Sequence, residues 1–178
     1  FNKFIEPVTW NALFWIILLF SAHTGIAKSF IQETEGQKLF SYILLNPLHV
    51  IGSKIIYNVI LLSSLALLQL LIFSLLFGFP VQSVPQYILG LLAGCIGIST
   101  ILTFISAIAS KAQKSTALMA VLGLPVLLPL FITILRQTKN SIDGIDWGVN
   151  IKYLIIILAI DLIVITLAYI LFPYLWRE

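Results

Sequence analysis

Asp161 is the one residue in this 178-residue chain that stands where a charge is costly. It lies between Ile160 and Leu162, in the middle of a long apolar run. An ionised carboxylate at the centre of a bilayer costs about 2.5–3.5 kcal/mol on insertion scales. Such a group has to face protein or a water-filled cavity, or carry a proton. Asp161 is therefore an intramembrane polar candidate, as a proton or substrate contact. The alternative is a hydrogen bond to a Ser or Thr of a neighbouring helix.

Other reactive side chains are sparse. His23 and His49 stand alone near the ends of apolar runs, where histidine reads as a headgroup-level polar residue rather than a ligand. Cys95 is the only cysteine, which excludes an internal disulfide framework and a multi-thiolate metal site. Between Gly94, Ile96 and Gly97 it reads as a small packing residue. Glu33 and Glu35 are two positions apart, so they point to opposite faces of a strand or about 200° apart on a helix. They form no catalytic carboxylate pair. No Ser/His/Asp or Cys/His arrangement, metal-ligand cluster or basic aromatic patch for nucleic acid is evident. No phosphate-binding loop of the Gly-x-x-x-x-Gly-Lys-Ser/Thr type is present, so the chain does not itself hydrolyse nucleotide. No catalytic, metal or directly bound cofactor residue is assigned.

The elements that position these residues follow from composition. The chain is 60% hydrophobic and 10% charged, with a mean hydropathy of +1.09. A soluble domain carries about 25% charged residues. Too few polar groups are present to cover a globular surface, so lipid is the solvent. The expected fold is an all-α polytopic membrane bundle, a single domain over residues 1–178. Five stretches are long enough to span about 30 Å of hydrocarbon. They are Thr9–Ala27, Val50–Phe77, Gln86–Ala109, Ser115–Leu135 and Ile151–Leu175. The chain opens on Phe1 with a loop-like segment, which suggests a preceding membrane helix outside this sequence.

Lys and Arg set the expected orientation. Lys28, Lys38, Lys54, Lys111, Lys114 and Arg177 fall on one side; Lys3, Arg136, Lys139 and Lys152 fall on the other. The six-to-four bias places the 28–54 segment and the C-terminus in the cytoplasm. The segments 1–8, 78–85 and 136–150 then lie outside. Pro80 and Pro85 bracket a stiff turn. The segment 136–150 is expected as a loop holding a short surface helix or a turn, with Trp147 at headgroup level.

The segment 28–54 is the one long polar interruption. From Gln37 to Leu45 the pattern is helical. Leu39, Phe40, Ile43 and Leu44 form an apolar face, against Gln37, Lys38, Ser41 and Tyr42, with the apolar Leu45 on that second face. Gly36 allows a bend before this helix and Pro47 stops it. Glu33 and Glu35 precede the bend. One reading is an interfacial helix lying among headgroups. A second is a docking helix for a cytoplasmic partner. A third gives the two glutamates a local role at a helix start.

Within the spans, Gly90, Gly94 and Gly97 have the small-residue spacing that lets helix backbones approach, inside the bundle or across a permease dimer. Ser99, Thr100, Thr103 and Ser106 continue a polar stripe, for helix–helix hydrogen bonds or for a translocation surface. Pro125 and Pro129 remove two backbone donors four residues apart, for a fixed kink or a moving hinge.

The order of these parts resembles a known family. A membrane helix, the Glu33-x-Glu35-Gly36 element, an amphipathic helix over Leu39–Leu45 ending at Asn46-Pro47, and four more membrane helices resemble the permease subunit of the cytochrome c maturation haem exporter (CcmB), an ABC-2 type permease family. The Pro80…Pro85 turn, the Gly-rich third span and the Leu-Pro-Val-Leu-Leu-Pro element around Pro125 and Pro129 fit it too. The chain departs from the pattern in a Gly36–Pro47 distance about one turn longer, and in Lys38 or Leu39 where an acidic residue is expected. The resemblance implies six membrane helices in the full protein. It also implies a cytoplasmic coupling segment at 28–49, with Glu33, Glu35, Gly36, Lys38, Leu39, Phe40, Tyr42, Leu45 and Pro47 as ATPase-coupling residues. It implies ATP in a separate CcmA-like ATPase subunit, CcmC-like and CcmD-like haem-handling partners, haem as the cargo of the complex, and the bacterial inner membrane as its place. The alternative is a non-transporting membrane scaffold that recruits a cytoplasmic partner. An intramembrane enzyme is a third and weaker reading, since Asp161 alone is a plausible buried catalytic group.

Overall fold

The computed structural model describes residues 5–26, 46–110 and 115–177, with side chains omitted at 115–122, 124 and 175–177. These residues form five helices: α1 (Pro7–Ile26), α2 (Pro47–Phe77), α3 (Val84–Ala109), α4 (Ser115–Ile142) and α5 (Trp147–Arg177). By length and composition α1, α2, α3 and α5 are able to cross a membrane. The chain is a multi-pass all-α membrane bundle, and α4 is the fifth helix in it.

The helix ends have local causes. Asn46 caps α2: its backbone is extended and its Oδ1 accepts the Leu48 N–H at 3.1 Å. Pro47 follows at the first helical position, where its missing N–H costs nothing. The second span thus starts three residues before the expected Val50, and Pro47 opens α2. Gly78 closes α2 at φ 83°, a left-handed backbone, with its N–H on the Ser74 carbonyl.

The expected loop 136–150 is corrected. α4 continues through Arg136 to Ile142, and only residues 143–146 turn. Polar residues within the expected loop are instead buried against neighbouring helices: Gln137, Thr138 and Ser141 are at most 1% exposed. Gly144, at φ 69°, makes the turn. Asp146 Oδ2 then accepts the Gly148 N–H at 3.0 Å and starts α5. Trp147 is exposed at this start, as an interfacial tryptophan would be.

α3 is the hub. Buried residues make up 72% of its most apolar stretch, against 22% in both α2 and α5, so the rest of the chain leaves most of those two helices uncovered. α3 touches all four other helices, and α4 and α5 most extensively. Near the end that carries the α2–α3 and α4–α5 turns, aromatic rings fill the space between α1, α2 and α3. Trp10 stacks on Phe14 with centroids 5.7 Å apart, and Phe73 meets both rings edge-on. Each such pair is worth about 0.5–1.5 kcal/mol beyond its burial.

Candidate functional site

The site grows from the small residues of α3. A methyl group on Gly94 would lie 2.8 Å from Trp15 Cη2 and 3.0 Å from Ile134 Cδ1. On Gly90 it would overlap the Gln137 amide, and on Gly97 the Asp161 carboxylate. Each glycine is thus a notch that receives a large or polar side chain from a neighbouring helix. Within this chain, that close approach is intramolecular.

Asp161 projects from the middle of α5 into the Gly97 notch. It is 3% exposed, and both carboxylate oxygens lack a hydrogen-bond partner among the described residues. Leu130 of α4 borders the same notch. Among the described residues, no Ser or Thr hydrogen bond to Asp161 is formed. Beyond Asp161 lies an apolar cleft of about 180 Å³, with Ile101, Phe104, Ile105 and Ile108 from α3, Val126 from α4, and Val164 and Leu167 from α5. Ile101 and Val164 lie about one turn beyond Gly97 and Asp161, so the cleft begins where the carboxylate ends.

The polar stripe of α3 faces α2. Ser99 Oγ donates to the Asn58 carbonyl at 3.2 Å, and Asn58 Nδ2 donates to Thr103 Oγ1 at 2.8 Å. Thr100 Oγ1 instead donates to Ile96 of its own helix. Cys95 is buried with its sulfur 4.0 Å from the Leu62 carbonyl, as a packing residue. The stripe is therefore a helix–helix seam.

A second polar group joins the helices nearer the turns. Gln137 Nε2 donates to the Gln86 carbonyl at 2.9 Å. Asn150 Nδ2 donates to Gln86 Oε1 at 2.8 Å and to Ser141 Oγ at 3.0 Å. Trp15 Nε1 donates to Thr138 Oγ1 at 3.1 Å, and Asn11 Nδ2 to the Leu135 carbonyl at 3.2 Å. Asn11, Asn58, Gln86, Gln137 and Asn150 were not singled out in the sequence. Their signal was available, since each is an amide inside or beside an apolar helix. Trp15→Phe is expected to destabilise the purified protein by about 0.6 kcal/mol, and at most about 1.7, the range of interhelical hydrogen bonds in a membrane. Denaturant-induced unfolding in mixed micelles reads this directly; an unchanged midpoint would contradict the bond.

Pro125 and Pro129 lie inside an unbroken α4, with both side chains exposed. Thr133 Oγ1 donates to the Pro129 carbonyl at 2.7 Å. His23 is half-buried and His49 exposed. No group of three or more His, Cys, Asp or Glu side chains able to hold a metal occurs among the described residues. Glu33, Glu35, Gly36, Lys38, Leu39, Phe40, Tyr42 and Leu45 lie outside the described residues; of the expected coupling residues only Pro47 is placed.

The family model described as CcmB protein matches residues 8–174. The chain belongs to the CcmB family. No curated protein and no solved structure matches it. The match runs from the second residue of α1 into the last turn of α5. The CcmB assignment makes the chain a transmembrane, permease-type component of the haem-export ABC system of cytochrome c maturation. Its partners lie within that Ccm system.

Proposed function

We propose that this chain couples ATP hydrolysis by a separate CcmA-like ATPase subunit to haem delivery or release across the bacterial inner membrane. The observation that carries the reading is the CcmB match over residues 8–174. The sequence supports it by lacking a phosphate-binding loop of its own. The 28–49 segment, cytoplasmic by charge bias, is the coupling element. Glu33, Glu35, Gly36, Lys38, Leu39, Phe40, Tyr42 and Leu45 are the residues assigned to contact with the ATPase. The capped start of α2 directly after it supports this role. A push on the segment would enter a rigid helix of 31 residues at Pro47. CcmC-like and CcmD-like subunits handle haem beside it, and a second permease copy completes the pair. ATP binds in the partner, and haem is the cargo of the complex.

Co-purification followed by an ATPase assay tests this. The ATPase is expected to travel with the chain, and its hydrolysis to depend on it. Replacing Glu35 through Leu45 by a Gly/Ser linker is expected to remove at least nine-tenths of the co-purified ATPase. Retention of the ATPase on that variant would show that the segment is not the coupling element. A bound partner that is not an ATPase would favour the scaffold reading.

A further inference from the structure

We propose that the groove between α1 and α4 binds an anionic phospholipid, with its phosphate against Arg136 and its acyl chain along Ala12 and Ile132. The groove has a volume of about 220 Å³, and its walls include Ala12 of α1 with Ile132, Leu135, Arg136 and Lys139 of α4. Its wall is almost wholly apolar. Ile132 and Ala12 line the end towards the middle of the bundle, and Arg136 and Lys139, both exposed, line the end towards the α4–α5 turn with the apolar parts of their side chains. Ile132 and Lys139 are separated by about 10 Å of helix rise. A lipid has the same polarity over the same distance, with hydrocarbon inward and phosphate at the interface.

Charge selects the head group. Lys139 is held by Asp143 at 2.5 Å. Arg136 is exposed and has no ion pair or hydrogen bond among the described residues. Two further described acids stand at this end of the bundle: Glu6, exposed two residues before Val8, which also lines the groove, and Asp146, whose Oδ2 accepts the Gly148 N–H. One uncommitted guanidinium matches one phosphodiester charge, and its fork suits phosphate oxygens. Asn11 also borders the groove, but its amide donor is used on the Leu135 carbonyl. Head-group recognition therefore falls to the cations, and selectivity follows charge.

The purified chain in zwitterionic detergent, titrated with phosphatidylglycerol or phosphatidylcholine and read by native mass spectrometry, tests the site. Phosphatidylglycerol is expected to bind about fivefold more tightly, the factor that one cation contributes at a lipid surface. Arg136→Gln is expected to erase that preference and to leave phosphatidylcholine binding unchanged. Glu6→Gln is expected to strengthen phosphatidylglycerol binding. Ile132→Trp is expected to fill the groove and weaken both lipids, and its exposed position keeps the fold intact. Equal binding of the two lipids, or a preference that survives Arg136→Gln, would overturn the proposal. So would displacement of the lipid by inorganic phosphate alone, which would make the site one for free anions.

Discussion

Asp161→Leu is expected to raise stability and abolish cytochrome c maturation together. The carboxylate is 3% exposed and both oxygens lack partners among the described residues. Leaving a buried polar group unsatisfied costs about 1–3 kcal/mol. Replacing it by an apolar side chain removes that cost. A gain of about 1–3 kcal/mol in detergent unfolding, with no mature cytochrome c in a complementation assay, is the expected pair of results. Asp161→Asn keeps the shape and is expected to stay within about 1 kcal/mol of the parent. A group retained against its own stability cost is the pattern of a functional site. Full complementation by Asp161→Leu would sink the functional reading and leave Asp161 as an unfavourable packing residue.

Gly97→Ala is expected to lower stability by about 1–3 kcal/mol, the range for overpacking a filled core. The new methyl group would overlap Asp161 Oδ1 and lie 2.7 Å from Leu130 Cδ2. Gly97→Leu is expected to prevent accumulation of folded protein, because three side chains then compete for one notch. The cause is testable by pairing. Asp161→Ala shortens the side chain that fills the notch, so the double variant Gly97→Ala/Asp161→Ala is expected to recover at least half of the Gly97→Ala loss. Contacting residues show interaction energies of about 0.5–3 kcal/mol in such cycles. Strictly additive losses would mean that Gly97 and Asp161 do not share the notch.

The bundle was legible in the sequence wherever one solvent explained a whole stretch. The runs 50–77 and 151–175 are predominantly apolar, which marks both as spans. Reading failed where polar residues had a second use. Gln137, Thr138 and Ser141 fell within the stretch 136–150, expected as a loop. They serve Gln86, Trp15 and Asn150 inside the bundle. A one-dimensional pattern records polarity but not its recipient, so α4 was cut short at Leu135. Asp161 shows the same limit. Its rarity in a span marked it at once, yet that it would meet Gly97 and Leu130 depends on how α3, α4 and α5 rotate against one another. The glycine spacing pointed to close approach, and which side chains enter the notches was beyond it.

The bonds from Asn11 and Trp15 to α4 have a consequence for biosynthesis. Their acceptors, the Leu135 carbonyl and Thr138, lie 124 and 123 residues later in the chain. At about 5–20 residues per second, a ribosome needs roughly 6–25 s to make that stretch. Throughout this interval α1 sits in the bilayer with an amide and an indole N–H awaiting partners that have not been made. α2 relieves little of this: the Gln69 side chain donates to the Phe14 carbonyl and leaves the α1 donors untouched. Newly inserted α1 is thus exposed to insertion chaperones and membrane proteases through these unmet donors, and α4 is the helix whose arrival satisfies them.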